Sequence, residues 1–297
     1  MALLSTIEPA ACNKIKTLMF SKNQVVTFYD SIASIYDLII KDKWDIIGGN
    51  NDKYWLIKYL EKHEISTILD CGCGTGVDAV SLSKAGYSCV GCDISKQMLR
   101  RANDNANKYD AKNNCAFVNC DITKLSRHFR TAQFDAVTCM GNVLMHLSGG
   151  DQIIKALSEM NFVLKPGGRC FIALDDNYDW VENLLGTKRV IFHIEAFCPS
   201  GQFMIPIHIW PVESEVVRSQ VIFIYIGKDR EWTITKFYLP LRLIFLKQLL
   251  SMMKKAGFTD LKASYVKNGQ LNHDITKYWI TSTGIRKQTQ ILIEGKK

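Results

Sequence analysis

The chain has 297 residues, of which 47% are apolar, 22% charged and 10% aromatic. This composition is typical of a folded globular protein with one large or two small domains. It excludes a disordered chain, a collagen-like repeat and a small disulfide-stapled scaffold. The net charge of +8 at pH 7 comes entirely from residues 241–297, which hold 11 Lys/Arg and 3 Asp/Glu. We interpret that excess as a solvated helix face and a basic tail rather than a polyanion site.

The sequence indicates neither export nor a membrane span. The N-terminus lacks a basic segment followed by a long apolar stretch, and no apolar run reaches the roughly 18–20 residues that a span needs. Ten cysteines in such a chain are typical of free thiols in a reducing compartment. We therefore expect a cytoplasmic protein.

The first 64 residues predict an arm followed by a helical lid. Residues 1–22 are expected to form a loosely attached, flexible arm. From Asn23 to Tyr36, apolar side chains recur at helical spacing, which predicts a helix with one buried stripe. A second helix is expected from Asp52 to His63, so residues 23–64 form the lid.

Strands and helices alternate over residues 65–180. Short apolar or β-branched runs predict strands at Ile65–Asp70, Tyr87–Asp93, Ala116–Asp121, Phe134–Met140 and Arg169–Leu174. Helices are expected at Val77–Ala85, Ser95–Asn107, with Ser95 as N-cap, and Asp151–Val163. Alternation at this spacing predicts an α/β core with a parallel sheet and helices on both faces.

The pattern changes after Trp180. Residues 181–240 hold several stretches rich in Ile, Val, Phe and Tyr with turn residues between them, which predicts an antiparallel β insert. A helix at Ile244–Ala256 and strands at Leu261–Val266 and Thr276–Thr281 are expected to complete the core over residues 241–283. Residues 284–297 are expected to be the basic tail.

The strongest local motif is the turn Asp70-Cys71-Gly72-Cys73-Gly74-Thr75-Gly76, which directly follows one predicted strand and precedes a helix. Its glycines permit close approach of backbone to a ligand. At the end of the next strand Asp93 lies 17 residues beyond Gly76, where a carboxylate can accept both hydroxyls of a ribose. A phosphate-binding Gly-Lys-Ser/Thr is absent, and the glycine spacing differs from the dinucleotide fingerprint.

These residues resemble the class I S-adenosylmethionine-dependent methyltransferases, whose first motif is a strand ending in D-x-G-x-G-x-G. The resemblance continues through Asp93, Asn119-Cys120-Asp121-Ile122, Phe134-Asp135-Ala136-Val137 and Leu164-Lys165-Pro166-Gly167-Gly168. It implies a Rossmann-like, seven-stranded methyltransferase sheet. It also implies S-adenosylmethionine as the cofactor, S-adenosylhomocysteine as the product and no metal.

Within that class the chain is similar to the glycine and glycine/sarcosine N-methyltransferases over roughly residues 23–283. The similarity rests on Cys73–Asp78, Asp93–Leu99, Met140-Gly141-Asn142 with His146-Leu147, and Asn177-Tyr178-Asp179. Phe28-Tyr29-Asp30, Ile35-Tyr36-Asp37 and the β insert fit as well. The resemblance implies N-methylation of a small-molecule amine, an insert covering the active site, and association into a homo-oligomer.

One position departs from that family. Its members carry an arginine before Asn-Tyr-Asp that holds the substrate carboxylate, whereas this chain has Asp176, preceded by Asp175. Two carboxylates repel each other in a low-dielectric pocket, so Asp176 favours a carboxylate-free amine such as a polyamine or an aromatic amine. Two alternatives stay open: the aspartates face solvent or cap the next turn, or an arginine of the insert region restores the carboxylate site (Arg189, Arg218 or Arg242).

The candidate site residues follow from this resemblance. The catalytic candidates are Asn142, His146, Asp176 and Tyr178. The cofactor-binding candidates are Tyr29, Tyr36, Trp44, Cys71, Gly72, Gly74, Asp93, Ile94, Met98, Asp121, Ile122, Met140 and Asn142. The substrate-binding candidates are Tyr29, Asn142, Asp176, Tyr178, Tyr238 and Arg242. For His146, a structural role on a helix face is an equal alternative.

Other functions compete with this hypothesis. O- or S-methylation of a small metabolite needs the same in-line geometry, and a subunit that binds the cofactor without catalysis would keep the same motif. A nucleic-acid methyltransferase acting on exocyclic amines would carry Asn/Asp-Pro-Pro-aromatic after strand four, where this chain has Met140-Gly141-Asn142-Val143. Zinc is disfavoured because Cys89 and Cys92, three apart on a strand, should face opposite sides of the sheet.

Overall fold

The computed structural model describes residues 22–40, 44, 55–175, 190–192, 196–197, 202–209, 216–226, 232–267, 270–272 and 290–297. Of the residues described before the first strand, Lys22–Ile39 form helix α1 and Trp55–Leu60 form helix α2. The helix predicted from Asn23 therefore begins at Lys22 and runs past Tyr36. None of the helices in these residues is long and apolar enough to cross a membrane.

The core alternates strands and helices as the sequence predicts. In chain order it contains β1 (Thr67–Cys71), α3 (Val77–Lys84), β2 (Ser88–Asp93), α4 (Lys96–Lys108), β3 (Cys115–Asn119), β4 (Phe134–Cys139), α5 (Gly150–Val163) and β5 (Leu164–Asp175). Short 3₁₀ turns follow β3 (Ile122–Arg127) and β4 (Val143–His146). Ser95 caps α4 as predicted, because its hydroxyl accepts a hydrogen bond from the Met98 N–H at 3.1 Å.

An eight-stranded sheet forms the centre of the molecule, in the order β12-β11-β13-β5-β4-β1-β2-β3. Strands β1 to β5 are parallel, and β13 (Gln290–Lys296) runs antiparallel to both β5 and β11 (Thr259–Lys267). The seven-stranded methyltransferase sheet is thus confirmed, and the short β12 (Gln270–Asn272) extends its edge. Parallel strands need apolar cover on both faces, which the helices provide.

The C-terminal end of the chain differs from the prediction. Gln290–Lys296 pairs with β5 along seven residues, so the expectation of a basic tail over residues 284–297 is wrong for this stretch. The reason is tertiary packing: Leu292 and Ile293 are 3% and 1% exposed between β5 and β11. In addition, the buried Glu294 accepts the Tyr59 hydroxyl and pairs with Arg169. The strand predicted at Thr276–Thr281 lies outside the described residues.

The predicted antiparallel insert is confirmed as a second sheet. Its order is β10-β9-β8-β6, with β7 beside β8. The strands are β6 (Val190–Phe192), β7 (Ala196–Phe197), β8 (Gln202–Ile209), β9 (Val216–Ile226) and β10 (Trp232–Arg242). Strand β10 runs past the expected boundary at residue 240 and leads into α6 (Leu246–Lys255).

Apolar side chains cover both faces of the central sheet. Helices α5 and α6 cover one face, where Leu157 and Met253 pack in the same buried cluster as Val137. Helices α2 and α3 cover the other, where Leu60 and Leu82 pack near Ile68. A third cluster holds α1 against the remaining structure: Phe28 and Ile32 lie with Met98 of α4 and Leu239 of β10. Helix α1 is therefore fastened over the carboxyl ends of the strands.

Candidate active site

The carboxyl ends of β1 to β4 open into a cavity of about 260 Å³. In open α/β sheets this edge is where ligands bind, because the connecting loops diverge there. Four segments wall the cavity from the sheet side, namely the glycine turn after β1, Asp93-Ile94, Cys120–Thr123 and Met140–Val143. Helix α1 contributes Tyr29 and Tyr36 to the opposite side.

The glycine turn is built so that its backbone lies close to the cavity. Gly72 and Gly76 have φ of +72° and +84°, a conformation that L side chains rarely adopt. A Cβ at Gly72 would also lie 2.5 Å from a methyl group of Val143. The N–H groups of Gly72 and Cys73 both donate to the Cys92 carbonyl, at 2.7 and 3.0 Å, which ties the turn to the end of β2.

Asp93 presents a preorganised acceptor at that end. Its Oδ2 accepts the Gly74 N–H at 2.9 Å and its Oδ1 accepts the Ser95 N–H at 2.8 Å. Burial raises the pKa of this carboxyl, although these backbone donors act in the opposite direction. A carboxylate has about four acceptor positions, so both oxygens can still accept hydroxyl groups of a ligand in the cavity. This geometry fits a ribose diol.

Asp121 forms the next wall of the cavity. Its Oδ1 accepts the N–H and the hydroxyl of Thr123 at 2.9 and 2.8 Å, while its Oδ2 pairs with Lys22 Nζ at 2.9 Å. Burial raises the pKa of Asp121, but these contacts outweigh it and lower the pKa below its ordinary value. Ile122 lies beside it as a buried apolar surface. Together they offer an apolar wall and a polar edge for a heterocyclic base.

The lid helix and the turn after β4 meet across the cavity. A 2.8 Å hydrogen bond joins Tyr29 Oη and His146 Nε2, and the two rings contact edge to face with centroids 5.4 Å apart. Tyr36 contacts Tyr29 in the same manner at 6.1 Å. Asn142 and His146 both line the cavity, so the structure brings these catalytic candidates together with Tyr29.

Three cofactor candidates do not line the cavity. Trp44 stacks on Tyr109 with ring centroids 5.0 Å apart and donates its indole N–H to Asp37 at 2.9 Å. Cys71 is fully buried within the core, and Met98 packs beneath α1. The other ten cofactor candidates all line it: Tyr29, Tyr36, Gly72, Gly74, Asp93, Ile94, Asp121, Ile122, Met140 and Asn142.

The substrate candidates are only partly covered by the described residues. Asp176 and Tyr178 lie outside them. Tyr238 lies on β10 opposite Gln220, where only its backbone is described. Arg242, at the end of β10, donates from Nη2 to the Ser148 carbonyl at 3.2 Å, and Ser148 lines the cavity. This arginine therefore lies at the rim.

Several lining residues escape prediction from the sequence. Lys22 falls in the segment expected to be a flexible arm, and its partner Asp121 is 99 residues away, so no local pattern could reveal the pair. Thr75 lies within the glycine turn and Asp78 lies just after it. Their closeness to this motif is the sequence signal that could have identified them as lining residues. Ser148 and Gln152 follow the turn after β4.

A buried carboxyl lies at the end of β1, next to the turn. Asp70 is 1% exposed and accepts the Thr138 hydroxyl at 3.0 Å. Burial, with Asp78 and Asp93 nearby, raises its pKa to about 8. Asp78 and Asp93 themselves line the cavity, so this end of the molecule carries negative potential that favours a cationic ligand.

The cysteines that the structure describes lie in the packed interior. All eight described cysteines are buried, and burial raises the pKa of Cys71 to about 11. Cys89 and Cys92 pack in the clusters on opposite faces of the sheet, as their spacing predicts, so they cannot share a metal ion. A thiol held protonated is a poor nucleophile.

Comparison with known proteins agrees with this geometry. Residues 68–168 match the family model described as a methyltransferase domain. The chain is 33% identical to the glycine/sarcosine N-methyltransferase of Aphanothece halophytica over 146 residues, covering 47% of this chain and 53% of that protein. It is 29% identical to the glycine/sarcosine N-methyltransferase of Halorhodospira halochloris over 233 residues, covering 75% and 81%. The chain thus spans about half the length of several curated relatives that it matches.

The fold has solved counterparts. A S-adenosylmethionine-dependent methyltransferase from Clostridium acetobutylicum superposes with a TM-score of 0.65 at 17% identity, covering 90% of this chain and 98% of the other. At that identity the likeness shows the fold alone, and the match to the methyltransferase domain model covers residues 68–168. Residues 68–168 therefore match a methyltransferase domain, and the chain has the fold of S-adenosylmethionine-dependent methyltransferases.

Proposed function

We propose that this protein transfers the methyl group of S-adenosylmethionine to the amine of a small molecule. The observation that carries the proposal is the Asp93 carboxylate, held by two backbone N–H groups and facing a cavity walled by the glycine turn. Asp93 would hold the ribose, and Asp121 and Ile122 the base. The acidic residues around the turn would suit the cationic groups of the cofactor.

The chemistry required of the protein itself is modest. When bound, S-adenosylmethionine supplies an activated methyl group, so the site has to hold a nucleophile in line and exclude water. Tyr29 and Tyr36 close the cavity from the lid. Asn142 and the Tyr29–His146 pair would orient the amine, and His146 or water would accept the proton that an ammonium must lose before it can attack.

The acceptor is an amine, either an amino acid such as glycine or sarcosine or an amine without a carboxylate. The relatives named above favour the first class. The second is favoured by Asp176 and by the described lining of the cavity, whose one Lys or Arg side chain, Lys22, already pairs with Asp121. A homo-oligomer and a cytoplasmic location, expected from the sequence, belong to the same proposal.

A methyl-transfer panel tests this function. Wild type and Asp176→Arg are incubated with labelled S-adenosylmethionine and one acceptor each: glycine, sarcosine, a diamine, an aromatic amine, a phenol or a thiol. We expect labelled N-methyl product with an amine in the wild type, and gain of glycine turnover in the variant. Transfer only to the phenol or thiol would replace this proposal with O- or S-methylation. Wild-type turnover of glycine would show that another residue binds its carboxylate.

A further inference from the structure

Two carboxylates fasten the lid helix α1 onto α4. Asp30 Oδ1 accepts the Ser95 hydroxyl at 2.5 Å and the Gln97 N–H at 3.2 Å, at the start of α4. Asp37 lies seven residues further along α1, nearly on the same face, because seven residues make almost two whole turns. Its Oδ2 accepts Arg101 Nη2 at 3.0 Å, in the middle of α4.

The contact at Asp37 reaches beyond α4 into the cofactor turn. Asn105 is 4% exposed, and its side-chain amide has two hydrogens. Nδ2 donates one to Asp37 Oδ2 at 3.1 Å and the other to the Thr75 carbonyl at 3.0 Å. Thr75 lies between Gly74 and Gly76, both with positive φ, and lines the cavity. One buried amide therefore joins the lid helix to the glycine turn.

We propose that Asp37 is a positioning residue for cofactor binding, and that it acts through Asn105 on the glycine turn. A turn rich in glycine has many backbone conformations to lose, so an external hydrogen bond that holds the Thr75 peptide reduces the cost of binding. The same carboxylate anchors the helix that carries Tyr29 and Tyr36 over the cavity. Asp37 thus fixes the position of the lid helix relative to the glycine turn, although Asp37 itself does not line the cavity.

The charge of Asp37 matters because each of its contacts with the described residues is a hydrogen-bond donor. Oδ1 accepts the Trp44 indole N–H while Oδ2 accepts both Arg101 and Asn105. An asparagine of the same shape would turn an N–H group toward at least one of these donors. Either the two contacts of Oδ2, to Arg101 and Asn105, or the contact of Oδ1 to Trp44 is then lost without any change in volume. Asp37→Asn is therefore a charge and hydrogen-bond test rather than a packing test.

The closing experiment compares Asp37→Asn, Asn105→Ala and their combination with wild type. The readouts are the Kd for S-adenosylhomocysteine, the KM for cofactor and for acceptor, and amide hydrogen exchange of residues 72–76 without ligand. We expect Kd and cofactor KM to rise about tenfold with little change in acceptor KM. The turn should exchange faster, and the combined variant should be no worse than the poorer single one. Asp37→Glu should restore part of the affinity.

The matched control is Asp104→Asn on α4, the helix that carries Asn105 and Arg101. Asp104 contacts the same Arg101 at 3.9 Å, but its side chain is 67% exposed, so no change in affinity or turn exchange is expected. Unchanged Kd and unchanged exchange at residues 72–76 in both Asn105→Ala and Asp37→Asn, whatever their thermal stability, would overturn the relay. Losses of affinity that add up in the combined variant would also overturn the relay, because they would show that Asp37 and Asn105 act independently. The inference rests on the proposed function only for its affinity readout. If wild type fails to bind S-adenosylhomocysteine, the proposed function is refuted. Hydrogen exchange in the free protein still tests whether Asp37 and Asn105 hold the glycine turn.

Discussion

Asp70 and Asp93 end neighbouring parallel strands, yet their surroundings give them different tasks. Asp93 accepts backbone N–H groups and faces the cavity, so it is prepared to bind a ligand. Asp70 lies in the core beside the turn, where its contact in the sheet is the Thr138 hydroxyl. Burial raises the pKa of both, and for Asp70 it reaches about 8. We therefore propose Asp93 as the ligand contact and expect Asp70 to affect stability.

Replacing Asp93 by asparagine should weaken cofactor binding. A hydrogen bond to a charged group contributes about 1.5–3 kcal/mol, so the loss should be about 10- to 100-fold in Kd for S-adenosylhomocysteine. Calorimetric titration measures it. A 2′-deoxy analogue of S-adenosylhomocysteine sharpens the test, because it should bind more weakly than the parent compound to wild type but not to Asp93→Asn. If wild type and Asp93→Asn both prefer the parent compound to the 2′-deoxy analogue by the same factor, the ribose does not bind at Asp93.

Asp70 should make stability fall as the pH rises. Its pKa is raised on folding, so the folded state holds its proton more tightly than the unfolded state between about pH 4 and pH 8. This contribution is complete below pH 4 and is lost as the pH rises through about 8. Urea unfolding of wild type and Asp70→Asn at pH 5.5 and 8.5 should show wild type losing stability relative to the variant. A constant difference would mean that Asp70 is ionised throughout.

At the residue scale, the motif positions were predictable and their distant partners were not. Asp93, Asp121 and Asn142 each follow a strand that the local pattern predicts, so the topology brings them to one edge. Lys22 pairs with a residue 99 positions away, and the sequence offers no local signal for that. Trp44 was expected at the cofactor but stacks on Tyr109, since its indole N–H finds an acceptor in Asp37.

At the scale of elements, a network of donors at Asp135 ties the start of β4 to its neighbours. The carboxylate accepts the N–H and hydroxyl groups of Ser66 and Thr67, and pairs with Lys165 Nζ at 2.6 Å. Burial raises the pKa of Asp135, but these contacts outweigh it and hold the pKa well below its usual value. They connect β4 to the start of β1 and to β5 in the sheet.

Asp135→Asn should destabilise the fold by about 2 kcal/mol at pH 7, the usual scale for hydrogen bonds to a charged group. Because the pKa is lowered on folding, this stability is present above about pH 4 and is lost as the pH falls through the lower folded value. Urea unfolding at pH 7 and at pH 3 checks the prediction, with the exposed Asp104→Asn as control. A difference between wild type and variant that grew on acidification would contradict it.

Elements with strong periodicity were predictable, and the last strand was not. Helix α1 follows the stripe that includes Ile32 and Ala33, and β1 to β5 follow short apolar runs. The apolar residues of β13 form a run that is flanked by basic residues, which favoured a solvated tail. This run pairs with β5 on one side and with β11 on the other. Its position therefore depends on tertiary contacts, which a local sequence pattern does not show.

At the scale of the whole molecule, part of the positive charge of the C-terminal region makes contacts within the fold. Lys297 Nζ donates to the carbonyl groups of Leu164 and Phe162 at 2.6 and 3.3 Å, where α5 ends. Burial lowers the pKa of this lysine. Cations at a helix C-terminus offset its dipole and satisfy its last carbonyl groups. The net charge is therefore weak support for a nucleic-acid partner.

The architecture could be predicted as a whole because alternation, motif order and strand composition all agree. The parallel strands β1 to β5 and the antiparallel insert follow from patterns within the chain, while the methyltransferase arrangement of the sheet is what the resemblance implies. The choice of acceptor does not, since it depends on residues that converge on the cavity from the lid, the turn after β4 and the segment that contains Asp176. Substrate specificity is a property of that convergence rather than of any one motif.

Titration of the full chain with S-adenosylhomocysteine tests the central claim that this cavity is a cofactor site. We predict one saturable site per chain, competition with S-adenosylmethionine, and marked weakening of binding in Asp93→Asn but not in Asp104→Asn. Absence of saturable binding in the wild type, or binding that Asp93→Asn leaves unchanged, would contradict it.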